Sequence, residues 1–140
     1  AFYCTQAVID NMLKRNSGRV INIASTSALK GYAYVAGYVA SKHALLGLTR
    51  ALATEYASTG ITFNAICPGF AETELLIDSV DNIVDKTGRS IEEARKVLAS
   101  NNPQGKFIQP EEVAATALWL ISDAACSITG QAISVSGGEI

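Results

Sequence analysis

This sequence lacks long hydrophobic runs and clusters of basic residues, and each absence removes a class of protein. No apolar run approaches the ~20 residues of a transmembrane helix, so we expect no membrane segment. The formal net charge is only −2, with Lys and Arg scattered along the chain. That distribution argues against a surface that binds nucleic acid or an anionic membrane. The opening residues have no basic lead-in, so no secretory signal is expected there.

Cysteine is sparse as well. Cys4, Cys67 and Cys126 are far apart and form no CxxC pair, a pattern that fits neither a metal site nor a disulfide framework. We therefore expect three buried free thiols and no metal. Free thiols are typical of a reducing compartment, so the expected location is the cytoplasm.

Hydrophobic residues make up 49% of the 140 residues and charged residues 17%, the composition of one globular domain. Short β-branched runs alternate with helical periodicity, which predicts an α/β fold with a parallel sheet. Ser90 and Glu93 form a capping box, and Pro110 suits the first position of a helix. The predicted helices cover 1–15, 37–58, two segments within 72–107, and 111–122, and the predicted strands cover 19–24, 61–66 and 131–135.

Two predictions concern the core. On the 37–58 helix, an apolar stripe is expected to pack inward, and on the last helix Trp119 is expected in the core. The stripe consists of Val39, Leu45, Leu48, Leu52 and Tyr56.

Tyr38 and Lys42 are four residues apart on a predicted helix, so their side chains project from one face. A phenol with the ordinary pKa of about 10 exchanges protons poorly at neutral pH, but a lysine ammonium held nearby favours the phenolate. Ser25 follows a buried strand, where open parallel sheets place their ligand crevice. Its hydroxyl could there hydrogen-bond the oxygen that Tyr38 protonates. Taken alone, the pair is also typical of an ordinary amphipathic helix with a core aromatic and a solvated Lys.

Several linked motifs decide between these interpretations. They are VINIAS ending at Ser25, YVASK from Tyr38 to Lys42, NAICPG from Asn64 to Gly69 with Thr73 beyond it, and ITGQ and SGG near residues 128–138. In order and spacing they resemble the short-chain dehydrogenase/reductase family over essentially the whole chain. The phrases SKHALLGLTRALATE and GITFNAICPGFAETEL are most similar to β-ketoacyl reductases, 3-hydroxyacyl-CoA dehydrogenases and ketoreductases of aromatic polyketide synthesis.

The resemblance implies an enzyme that moves a hydride between NAD or NADP and a carbonyl or secondary alcohol. By matching position, Tyr38 is the general acid or base, Lys42 assists it and holds the nicotinamide ribose, and Ser25 orients the substrate oxygen. Cofactor contacts are implied for Tyr38, Lys42, Pro68, Gly69, Ala71 and Thr73. The implied substrate is a 3-oxoacyl thioester or similar ketone, carried by coenzyme A or an acyl carrier protein. The implied assembly is a homo-oligomer, a dimer or tetramer.

Two family features are absent from this sequence. No three of the eleven glycines have the GxxxGxG spacing that cradles cofactor phosphates, and the proton-relay Asn would precede Ala1. We therefore expect residues 1–140 to be the C-terminal part of a single Rossmann-like domain, a doubly wound parallel sheet with helices on both faces. The chain alone is expected neither to bind cofactor well nor to turn over.

Two other classes stay open at this point. A truncated, non-catalytic scaffold would explain the missing half of the cofactor site. An isomerase or dehydratase of the same fold would also use Tyr and Lys, although such relatives usually carry a larger C-terminal substrate domain.

Five further residues carry secondary expectations. His43 and Cys67 are interpreted as non-catalytic, because one helical step turns His43 away from Lys42 and a packed thiol suits Cys67. Tyr32 and Tyr34 are candidates for substrate contact, and Glu139 for contact with a neighbouring subunit.

Overall fold

The computed structural model describes all residues, 1–140, and has the predicted α/β order. No helix in it is both long and apolar enough to cross a membrane. The three strands are β1 (Gly18–Ile23), β2 (Ile61–Pro68) and β3 (Ala132–Val135). The five helices are α1 (Phe2–Lys14), α2 (Ala36–Glu55), α3 (Glu74–Thr87), α4 (Ile91–Ala99) and α5 (Pro110–Ile121), and short 3₁₀ turns occupy Thr26–Ala28 and Asp123–Ala125.

The strands form one parallel sheet in the order β1-β2-β3. Gly18 to Ile23 of β1 lie opposite Ile61 to Ile66 of β2, and β3 joins the other side of β2 from Ala65 onward. The outer edge of β1 carries no strand, and Ile23 at the end of β1 is 50% exposed. The middle strand is buried from Ile61 to Cys67, because helices cover both of its faces.

Alternation along β2 divides the core into two layers. Phe63 packs with Ile9 of α1 and Ala53 of α2 on one face, whereas Ile66 packs with Leu120 of α5 on the other. A third cluster joins α3 and α4 and lies apart from the sheet, around Leu76, Val80, Ala94, Leu98 and Phe107. The doubly wound arrangement expected from the sequence is therefore confirmed.

Asn64 holds β2 to the segment that leads into β3. Its side chain is 1% exposed, its Nδ2 donates to the Ile128 carbonyl at 2.7 Å, and its Oδ1 accepts from the Gln131 N–H at 3.1 Å. Phe63, the residue before Asn64, adds a third hydrogen bond to the same segment, because its carbonyl accepts from the Gly130 N–H at 2.7 Å. The NAICPG motif therefore begins with a residue that positions the neighbouring strand.

Both predicted capping features are present. Ser90 and Glu93 form the reciprocal capping box at the start of α4, and Pro110 is the first residue of α5.

The helix faces differ from two predictions. On α2 the residues that are fully buried are Leu46, Thr49 and Ala53, and the expected apolar stripe lies half-buried along the flank. On α5 Leu120 is fully buried against the sheet. Adjacent helical residues point about 100° apart, so Trp119 is turned aside and is 44% exposed. The core assignment of Trp119 was wrong.

The cysteine prediction was also wrong in part. Cys67 is buried in β2, but Cys4 and Cys126 are exposed. No group of three or more His, Cys, Asp or Glu side chains in the structure could hold a metal ion.

Candidate active site

The carboxyl ends of β1 and β2 carry the sequence-predicted site. Ser25 follows β1 and caps the Thr26–Ala28 turn in an extended conformation, with φ −176° and ψ 162°. Its Oγ accepts a hydrogen bond from the Ser27 N–H at 3.0 Å. Since that bond uses a lone pair, the Ser25 hydroxyl proton is left for an incoming oxygen.

Lys42 links α2 to the same end of β1. Its Nζ donates to the Ile23 carbonyl at 3.1 Å and lies 5.5 Å from the centroid of the Tyr38 ring. The ammonium therefore lies beside the phenol, within the range of a cation–π interaction. Tyr38, in the first turn of α2, is 42% exposed, which leaves its ring accessible to a ligand.

The cofactor residues implied by the resemblance follow β2. Pro68 ends the strand opposite Val135, and the Gly69 N–H donates to the Val135 carbonyl at 3.0 Å. Ala71 pairs with Ile108 in an isolated parallel bridge. Pro68 and Gly69 therefore lie at the same sheet edge as Ser25, and the chain continues from them to α3.

Thr73 precedes α3 but does not cap it with its side chain. Its exposed Oγ1 has only a long contact, 3.4 Å, with the Ala71 carbonyl. The hydroxyl thus remains open to a polar ligand group.

Two neighbours, His43 and Cys67, were interpreted as a surface residue and a packed thiol. His43 is exposed, and its Nδ1 lies 3.0 Å from the Val39 carbonyl on its own helix. Cys67 is fully buried. Burial raises the pKa of the Cys67 thiol, and the backbone of Ser25 with the charges of Arg50 and Lys42 opposes that shift only in part. A protonated, packed thiol is a poor nucleophile.

A cluster beside this edge was not predicted from the sequence. The Glu139 carboxylate is only 2% exposed and pairs with the Lys30 ammonium at 3.0 Å. Its Oε1 also accepts from the Tyr32 hydroxyl. The only signal in the sequence was an acidic residue directly after two glycines. The Glu139 side chain is therefore buried within this chain, and its expected contact with a neighbouring subunit stays a prediction.

The cluster shifts two pKa values. Burial opposes the charged form of Lys30, but the hydrogen bond and attraction from Glu139 outweigh it, and the pKa of Lys30 is raised. Burial raises the pKa of Tyr32 and Glu139 adds to that, while Thr26 acts in the opposite direction. Tyr34, the other tyrosine of the loop, is fully exposed with φ 67°.

The known proteins to which this chain is similar are reductases and dehydrogenases. A family model described as enoyl-(acyl carrier protein) reductase matches residues 1–139. The chain is 39% identical over 141 residues to D-beta-hydroxybutyrate dehydrogenase of Cupriavidus necator, covering 100% of this chain and 55% of that protein. It is 41% identical over 140 residues to 3-oxoacyl-(acyl-carrier-protein) reductase of Synechocystis sp., covering 99% and 51%.

Among solved structures, a variant of actinorhodin polyketide ketoreductase with NADPH matches with a TM-score of 0.87 and 43% identity, covering 91% of this chain and 49% of that one. The chain spans about half the length of these proteins.

Proposed function

Because this chain belongs to the short-chain dehydrogenase/reductase family, we propose that its protein transfers a hydride between NAD(H) or NADP(H) and a carbonyl or secondary-alcohol substrate. The proposed substrate is a 3-oxoacyl thioester or a similar ketone. One observation carries the proposal: Lys42 lies beside the Tyr38 ring and is bound to the end of β1, two residues before Ser25.

Tyr38, Lys42 and Ser25 have different roles in the reaction at the substrate oxygen. In reduction, Tyr38 donates its hydroxyl proton to the carbonyl oxygen, and the Lys42 ammonium stabilises the negative charge that develops on the ring. The Ser25 hydroxyl donates a hydrogen bond to the same oxygen and orients it. Oxidation of an alcohol uses the same groups with the proton moving to Tyr38.

The cofactor residues are proposed from the donor set that the site presents. Lys42 has three N–H donors, of which one is used by the Ile23 carbonyl, so two remain for ribose hydroxyls. With a cofactor bound, Pro68 and Gly69 would contact the nicotinamide, and the Ala71 backbone and the Thr73 hydroxyl would bind its carboxamide or the phosphates. When bound, the nicotinamide supplies or accepts the hydride.

Residues 1–140 are proposed to supply the nicotinamide half of a single domain. The bare edge of β1, the absence of a phosphate-binding glycine motif and the half-length coverage of the relatives support this division. The 140-residue chain alone should then bind NADPH far more weakly than the full-length protein. Isothermal titration of both proteins measures the difference, and equal affinities would refute the division.

The proposed partners are acyl groups on coenzyme A or an acyl carrier protein, and further copies of the same chain. The name of the reductase relative supports the acyl carrier protein. Self-association is supported by Leu118 and Ile121 of α5, two apolar residues that are 65% and 52% exposed. A cytoplasmic location is supported by the exposed free thiols of Cys4 and Cys126, which suit a reducing compartment.

The test of function uses the full-length protein with NADH or NADPH and a 3-oxoacyl thioester. Tyr38→Phe removes only the proton donor, so turnover should fall by ~10³-fold or more while NADPH still binds, since general acid catalysis contributes roughly 10²–10⁴-fold. The matched control is Tyr3→Phe, whose ring is 80% exposed on α1 and whose activity should stay at the wild-type level.

A 2-enoyl thioester serves as the competing substrate, because the matching family model is described as an enoyl reductase. The proposed function would be refuted if the protein reduced the 2-enoyl thioester but not the 3-oxoacyl thioester, or if Tyr38→Phe kept full activity.

A further inference from the structure

Glu139 is an unusual buried charge. It follows β3 in the segment 136–140, and its side chain is 2% exposed with Lys30 as its ion-pair partner at 3.0 Å. Its second oxygen, Oε2, is buried without any hydrogen-bond partner. A carboxylate is costly to bury, so a position that retains one needs an explanation beyond filling space.

The hydrogen bonds of the cluster have a defined direction. A carboxylate only accepts, so the Tyr32 hydroxyl donates its single proton to Glu139. The remaining contact of that hydroxyl is with Thr26 Oγ1 at 2.7 Å, and there the Thr26 hydroxyl must be the donor. The chain of bonds therefore runs from Thr26 through Tyr32 to Glu139.

This series of hydrogen bonds begins at Thr26, on the turn that Ser25 caps. Thr26 is buried and directly follows Ser25. The amides of Ala28 and Leu29 bond the Ser25 and Thr26 carbonyls, both at 2.9 Å. Thr26 and Ser25 therefore belong to one hydrogen-bonded turn.

The opposite side of the carboxylate contacts the turn after β2. A Cβ placed on Gly69 would lie 3.1 Å from Glu139 Oε2 and 3.3 Å from Ser136 Cβ. A side chain at this position would therefore require the segment 136–140 to shift by a few tenths of an ångström. Glu139 therefore contacts both the loop that carries Ser25 and the turn formed by Pro68 and Gly69.

We propose that Glu139 is a positioning residue, which ties segment 136–140 to the Ser25 loop through Tyr32 and Lys30 and fixes that loop against Gly69. The proposal rests on the proposed function for its effect on catalysis. Without this tie, the Ser25 hydroxyl would no longer be held toward the substrate oxygen. The Gly69 turn itself would remain, because its own bond to Val135 does not involve Glu139.

The kinetic test compares Glu139→Ala, Glu139→Gln and Tyr32→Phe in the full-length protein. Glu139→Ala should lower kcat/KM for the carbonyl substrate by about tenfold to a hundredfold, the effect of leaving a buried hydrogen-bonding group unpaired. The Kd of NADPH should change by less than about threefold, since the Gly69 turn persists. Glu139→Gln keeps an acceptor for Tyr32 and should recover part of the activity.

Coupling separates positioning from a general packing defect. Tyr32→Phe breaks the same chain of bonds, so its effect combined with Glu139→Ala should be clearly less than the product of the two single effects. The matched control is Lys106→Met, which removes an exposed ion pair to Glu112 at 3.4 Å and should leave kcat/KM unchanged. Independent effects that multiply fully would refute the proposal.

Hydrogen exchange gives a readout that does not depend on turnover. The amides of Ala28, Leu29 and Lys30 should exchange at least tenfold faster in Glu139→Ala and in Tyr32→Phe than in wild type. Unchanged exchange in Tyr32→Phe, which removes a single hydroxyl and should fold, would overturn the proposal even if Glu139→Ala fails to fold. If the wild-type protein reduces no oxo compound, the proposed function fails, and exchange still decides the role of Glu139.

Discussion

Asn64→Asp exchanges one buried hydrogen-bond donor for an acceptor. The Asn64 Nδ2 donates to the Ile128 carbonyl at 2.7 Å, and Oδ1 accepts from the Gln131 N–H at 3.1 Å. An introduced carboxylate still accepts from Gln131, but its other oxygen faces the Ile128 carbonyl and repels it. At 1% exposure, water cannot reach that oxygen without opening the join between β2 and β3.

The cost at neutral pH should be about 3–5 kcal/mol, the penalty for leaving a buried charge uncompensated. Since the free energy of unfolding of a domain is roughly 5–15 kcal/mol, the variant should lose a large part of it. Burial without a cation raises the pKa of the introduced carboxyl above its unfolded value of about 3.9. The destabilisation is therefore greatest above the raised folded-state pKa and shrinks as the pH falls through it, because the neutral acid can again donate to Ile128.

Urea unfolding of the full-length protein, at one fixed protein concentration, measures the change in the free energy of unfolding. Wild type, Asn64→Asp and Asn82→Asp are compared at pH 7 and at successively lower pH. Asn82 is exposed on α3, so its variant controls for the added charge. The reasoning is refuted if both variants lose the same free energy at pH 7, or if the difference between Asn64→Asp and wild type does not narrow on acidification.

Two further variants test local features of the fold. In Gly60→Ala, the new Cβ would lie 2.1 Å from the Asn16 carbonyl oxygen, so we expect a loss of about 1–3 kcal/mol in thermal unfolding, and an unchanged Tm would contradict this close approach. In Glu93→Ala, the capping box of α4 is lost. The backbone and hydroxyl of Ser90 lower the pKa of Glu93 from 4.5. The stabilisation that the Glu93 carboxylate gives is therefore present above pH 4.5 and disappears as the pH falls through the lowered pKa. The urea midpoints of wild type and Glu93→Ala should therefore converge in acid, and a constant gap would contradict the assignment.

Much of the candidate site could be predicted because its signals are local. The spacing of Tyr38 and Lys42 determines that both project from one helical face, and the structure places the Lys42 ammonium beside the Tyr38 ring. The strand that precedes Ser25 was evident from its β-branched run. Neighbouring residues in the chain create these features, so a sequence pattern contains them.

The sequence by itself thus determined the order of elements, the capping of α4, the start of α5 and the residues at the sheet edge. Only the tertiary structure decided which face of α2 is buried and that Trp119 is half-exposed, because the orientation of a helix depends on the sheet it covers. It also decided the cluster around Glu139, whose bond to Tyr32 joins residues 107 positions apart. Such a contact arises because the parallel topology places the carboxyl ends of β1, β2 and β3 on the same side of the sheet, and no local sequence pattern encodes it.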